Sequence, residues 1–166
     1  MQPLTEEQIR ASFVNVSKGD AARVPMPGLH EVLWSEREYL GWHDARAPQR
    51  AYLTMWKGDR PVSMLLRSAD RRIRGGISAM CSLCHMPQPG GQVALFAAPR
   101  SGEAGRNGDT VGTYICADLG CSAIIRIAPP PAPMQFSPEE IVQRRIEGLQ
   151  TRLDAFTDGV LGSDAA

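Results

Sequence analysis

All four cysteines of this 166-residue chain lie between positions 81 and 121, as Cys81-Ser82-Leu83-Cys84 and Cys116-Ala117-Asp118-Leu119-Gly120-Cys121, with 31 residues between the two pairs. Each pair places two sulfurs at one tight turn. Two such pairs supply the four soft ligands that zinc takes at about 2.3 Å in a tetrahedron. A redox Cys-x-x-Cys reading leaves the second pair without a role. A disulfide framework belongs to exported chains, and the start at Met1-Gln2-Pro3-Leu4-Thr5-Glu6 has neither the basic nor the apolar region of a leader. The most apolar run, at residues 61–66, is far shorter than the ~20 residues of a membrane span. The expectation is a soluble cytoplasmic protein with no membrane partner, in which zinc is structural.

The 18 basic and 18 acidic residues cancel, but not locally. Residues 1–56 carry 6 basic and 7 acidic side chains, residues 57–109 carry 8 and 4, and residues 110–166 carry 4 and 7. The basic middle third admits an RNA or acidic-protein partner, although the whole chain is not a strongly basic nucleic-acid binder.

Thr5-Glu6-Glu7-Gln8 is a capping box, and Ile9, Phe13 and Val16 follow at helical spacing before Gly19, which predicts one N-terminal amphipathic helix. Pro25, Pro27 and Gly28 interrupt it. Residues 25–48, anchored by Trp34, Tyr39, Leu40 and Trp42, are expected as an ordered loop or short helix. His43-Asp44 invites a catalytic reading, but adjacent side chains seldom face each other usefully and no nucleophile accompanies them. His30 and His43 therefore read as surface or hydrogen-bonded residues.

Residues 51–56 and 61–66 flank Lys57-Gly58-Asp59-Arg60 and predict a β-hairpin. Arg67, Arg71, Arg72 and Arg74 follow; they either offset the roughly −2 charge of a four-thiolate zinc site or present a basic face to a partner. His85 could replace a cysteine, although four thiolates already complete a site. Residues 92–97 and 110–115 predict two strands joined by a mobile Gly-rich tip at 99–109, which lacks the Lys-Ser/Thr ending of a phosphate loop. Asp118 is the expected N-cap of a helix over 119–127, with Cys121 in its first turn, where amide dipoles favour a thiolate. Knuckle, hairpin, then ligands at a helix start make a treble clef.

Four prolines at 129–133 predict a stiff spacer, residues 129–136. Ser137-Pro138-Glu139-Glu140 then opens a helix over 137–161 whose stripe, Val142, Ile146, Leu149, Leu153, Phe156 and Val160, either packs on the chain's own domain or joins a partner or second copy. The fold class is α+β: a treble-clef zinc finger fused to a small antiparallel sheet at 1–128, flanked by an N-terminal helix and the long C-terminal helix.

The stretches PLTEEQIRASFVN, YLGWHDARAPQRAYL, CSLC and above all APRSGEAGRNGDTVGTYICADLGCS, together covering residues 3–128, resemble the elongation-factor-G-binding protein family, whose best-known members confer fusidic acid resistance. The chain looks most like short bacterial proteins built on that family's C-terminal treble-clef zinc-finger domain. The resistance proteins carry a helical bundle ahead of that domain, where this chain has one short helix. The resemblance implies a cytoplasmic protein that docks on elongation factor G at the ribosome and promotes its release, with Cys81, Cys84, Cys116 and Cys121 as zinc ligands. It points to Arg100, Arg106 and Asn107, and then Arg71, Arg72 and Arg74, as partner contacts. A closed ligand set leaves no open coordination position for catalysis, so no enzymatic activity is expected. The alternative is an RNA-binding zinc protein that uses the basic middle third.

Overall fold

Ala51, Tyr52, Leu53, Thr54 and Met55 are all buried, whereas a strand with one wet face would alternate. The computed structural model, which describes residues 1–72 and 78–162 and only the backbone at 69–72, shows what covers both faces. The chain runs α1 (Glu6–Ala11), α2 (Lys18–Arg23), β1 (Tyr39–His43), β2 (Arg50–Lys57), β3 (Arg60–Arg72), β4 (Ser78–Met80), β5 (Pro87–Pro89), β6 (Val93–Pro99), α3 (Gly102–Arg106), β7 (Thr110–Cys116), α4 (Cys121–Ile125) and α5 (Pro138–Leu161). Five strands form an antiparallel sheet in the order β1-β2-β3-β6-β7, and β4 pairs with β5 in a separate ribbon.

Successive side chains of a strand point to opposite faces, and the two faces bury different sets. One buries Leu53, Met55, Met64, Leu66, Phe96 and Ile115 together with the four cysteines and, from α5, Leu149, Leu153, Phe156 and Val160. The other buries Leu40, Trp42 and Tyr52 against Leu4, Ile9 and Val24 of the N-terminal segment. The apolar stripe of α5 is thus used inside the chain, as packing on its own domain required.

Both ends of α5 are closed. Ser137 Oγ accepts from the Glu140 amide at 3.2 Å and the Glu140 carboxylate accepts from the Ser137 amide at 2.8 Å, as the capping-box sequence predicts. At the other end the carbonyls left over by the last turn meet donors from the β6–β7 connection. Arg100 Nη1 donates to Gly159 O at 2.6 Å, the Ser101 amide to Val160 O at 2.7 Å and Ser101 Oγ to Leu161 O at 3.0 Å. Lys57 adds an ion pair with Asp158 at 2.8 Å.

The 51–56/61–66 hairpin forms as expected, turning at Gly58 with φ 57°. Three local expectations are corrected. The N-terminal helix is two short helices, because Phe13 bridges Ser63 of β3, Asn15 hydrogen-bonds both backbone groups of Leu65, and Ser17 caps a new start by accepting from Asp20. Part of 25–48 is strand β1, preceded by two 3₁₀ turns; Gly41, which disguised the alternation, is needed because a Cβ there would lie 2.6 Å from Leu119 Cβ. The 99–109 tip contains α3 and is tied to α5. At Gly105 a Cβ would fall 1.7 Å from Arg100 O, so only glycine fits that turn. No helix among the described residues is long and apolar enough to cross a membrane.

Leu153, 1% exposed in the core between α5 and the sheet, measures the contribution of α5. Leu153→Ala is expected to cost about 2–5 kcal/mol, read as a lowered midpoint in urea unfolding of the zinc-loaded protein. An unchanged midpoint would show that α5 adds nothing to the core.

Candidate metal centre

The first cysteine pair sits in the β4–β5 turn. Three hydrogen bonds shape this knuckle, His85 N to Cys81 O at 2.9 Å, Cys81 N to Met86 O at 3.4 Å and Cys84 N to Cys81 Sγ at 3.4 Å, and His85 takes the left-handed backbone at φ 54°. The Ser82 amide donates to Tyr114 O at 2.7 Å, which pins the knuckle to β7. The second pair comes from the end of β7 and the first residue of α4, across a turn in which Leu119 is left-handed at φ 58°. The cap here differs from expectation. Gly120 is the N-cap, and the Asp118 carboxylate accepts from the Gly120 amide at 2.9 Å within the turn leading to it.

All four cysteines are buried and free, and their sulfurs lie within 4.8 Å of one another. The close distances are 3.6 Å for Cys81–Cys121, 3.7 Å for Cys84–Cys116 and 3.4 Å for Cys116–Cys121. A disulfide would need about 2.05 Å, whereas bonds of about 2.3 Å to one central ion set tetrahedral sulfurs about 3.8 Å apart. The sulfurs therefore fit a shared ion. Their acidities point the same way. Cys81 is pushed far down by hydrogen bonds from Cys116 and Cys121, and Cys121 far up by Cys116, Cys81 and Cys84 and by burial. Four thiols this close cannot all ionise without a cation among them.

The surroundings contribute groups that the cysteine spacing gave no hint of. Gln88 Nε2 on β5 donates to Cys116 Sγ at 3.0 Å. Tyr39 is buried with a hydroxyl that has no hydrogen-bond partner among the described residues. Burial first, and then the neighbouring charge of Cys121, push its pKa well up. The Gln88 donor steadies a thiolate ligand. His43 Nε2 donates to Ala117 O at 2.7 Å, bracing the turn between Cys116 and Cys121. Asp44 instead accepts from Tyr52 and Arg46, so His43 and Asp44 form no catalytic pair. Glu38, buried at the start of β1, accepts a two-pronged pair from Arg126 at 2.6 and 2.9 Å, and its amide donates to Ser122 Oγ at 3.1 Å, fixing α4 to the sheet. His85 is exposed and outside the sulfur cluster.

The expected partner-contact residues are dispersed. Arg106 and Asn107 are exposed at the end of α3, while Arg100 is committed to the end of α5. Arg71 and Arg72 end β3, where only the backbone is described, and Arg74 lies outside the described residues.

Structural zinc of this kind supplies about 10–16 kcal/mol of apparent binding energy in small fingers. The purified protein is expected to carry one zinc per chain by elemental analysis, and a strong chelator should abolish cooperative thermal unfolding; an unchanged melt would refute the structural role. Gln88→Ala is expected to weaken zinc retention by about tenfold or more, measured by competition with a chromogenic chelator. Retention equal to wild type would remove Gln88 from the centre.

Residues 8–160 match the model of the FBP C-terminal treble-clef zinc-finger family. The match takes in the spacer and α5, which the resemblance read from the sequence left outside. No curated protein matches the chain. Among solved structures, the fusidic acid resistance protein FusC aligns at 20% identity with a TM-score of 0.47, over 60% of this chain and 44% of that one. The chain thus spans less than half the length of FusC. With its family model matched over nearly the whole sequence and four converging cysteines suited to structural zinc, the chain belongs to the FBP C-terminal treble-clef zinc-finger family.

Proposed function

We propose that this chain is a non-enzymatic, zinc-stabilised binding protein that docks on elongation factor G or the ribosome and modulates release of the translation factor. The observation that carries the reading is the closure of the metal centre. Four thiols fill the four positions of a tetrahedral ion and all are buried, so no position is left for a substrate or water. Function then falls to the surface that the centre holds in shape. The family resemblance read from the sequence supplies the partner.

The contact region we favour is the β6–β7 connection. Its short helix α3 is held at one end by β6 and β7 and tied to α5 through Arg100 and Ser101. That leaves Arg106 and Asn107 outward on a braced support. A rigid support lowers the ordering cost of binding.

Calorimetric titration of the zinc-loaded protein with elongation factor G should give a dissociation constant of about 10 μM or tighter. Arg106→Ala/Asn107→Ala should weaken it severalfold without altering the melt. No heat at tens of micromolar, about −6 kcal/mol or weaker, would sink the proposal. Retained affinity for RNA, falling steeply with salt, would then favour the alternative.

A further inference from the structure

The β2–β3 hairpin places like charges directly opposite one another twice, Lys57 against Arg60 at the turn and Arg50 against Arg67 at the far end. Directly opposed residues share a face, and like charges there destabilise the pair. At the turn the repulsion is relieved by α5, since Lys57 pairs with Asp158 at 2.8 Å and Asp154 at 3.8 Å. At the far end the relief is weaker: the Arg50 charge is felt by Asp20, which lines the same cleft, but no ion pair forms. Arg50 and Arg67 are both exposed, and neither guanidinium has an ion-pair or hydrogen-bond partner among the described residues.

The two guanidinium-bearing residues line a cleft of about 370 Å³ together with Asp20, Arg23, Asp44 and Tyr52. They also line an adjoining one of about 640 Å³ with Ala47, Pro48, Gln49 and Ser68. The carboxylates in the first cleft are already engaged. Asp44 accepts from the Tyr52 hydroxyl and the Arg46 amide, and Asp20 from Arg23 and Ser17.

We infer that Arg50 and Arg67 form a carboxylate clamp that takes an acidic side chain of the partner protein, an inference that rests on the protein-docking reading above. Two adjacent guanidiniums present parallel donors suited to a carboxylate fork. The flanking Asp20 and Asp44 oppose a continuous phosphate backbone, and a net charge of zero provides no general attraction for a polyanion. The mixed rim therefore favours a protein segment over RNA. The clamp lies on the sheet face that also carries Tyr52 and Trp42, with β6 and Gly105 of α3 at its edge. It extends the proposed docking surface from α3 across the end of the sheet.

The test is Arg50→Gln/Arg67→Gln in the full zinc-loaded chain, with Arg60→Gln as the control. Elongation factor G is the probe at two salt concentrations, and an unstructured single-stranded RNA is run in parallel. The double variant should bind the factor at least tenfold more weakly with a shallower salt dependence. It should melt at the wild-type temperature or above, because a repulsion has been removed, and Arg60→Gln should bind as wild type does. Binding within twofold of wild type overturns the clamp while leaving the docking proposal intact; so does a melt several degrees lower, which would make the pair structural. Loss of RNA binding alone overturns it in favour of RNA. If wild type itself fails to bind the factor, the docking reading falls and the clamp with it.

Discussion

Mutual repulsion among four buried sulfur atoms, relieved only by a shared cation, is the constraint that organises this molecule. The sulfurs arrive from the β4–β5 knuckle, the end of β7 and the start of α4. Each arrival is braced separately, by Ser82 on β7, His43 on the turn after Cys116, and Glu38 with Arg126 on α4. The cysteines are also members of the same buried cluster as Leu53, Phe96 and Leu153. The metal centre is therefore part of the main core.

The sheet is covered on both sides by elements from the two ends of the chain. The N-terminal segment and its two short helices pack on one face, and α5 on the other. This explains why β2 reads as a continuous apolar run and why polar residues buried in the sheet and α5 are paired. Ser63 Oγ donates to Thr54 Oγ1 at 2.8 Å, and Thr157 Oγ1 donates to Leu153 O at 2.8 Å. Unpaired, each would cost about 1–3 kcal/mol.

Much of this was legible from spacing. The cysteine pairs, the β2–β3 and β6–β7 hairpins and the two capping boxes are local patterns whose partners lie close by in sequence, so short-range rules found them. What escaped depended on distant contacts. Gly41 concealed β1 because its need for a missing Cβ comes from Leu119, and the N-terminal helix broke because Ser63 and Leu65 of β3 claimed the backbone around Phe13 and Asn15. Gln88 and Tyr39 carry no signature as neighbours of a metal centre, because only the fold brings them to the thiols. Arg100 read as a partner contact for the same reason; its acceptor, Gly159, is 59 residues away.

The long reach of α5 bears on how the chain comes to be folded. Its contacts close very long loops, Thr157 to Met55 being 102 residues apart and Ser101 to Leu161 sixty, and long loops are slow to close. On the ribosome the knuckle, the β6–β7 hairpin and the fourth cysteine all emerge before residue 138. A nascent chain therefore has its full set of thiols while one sheet face is still bare. Metal capture can precede completion of the core, and α5 then seals a framework already held at its centre.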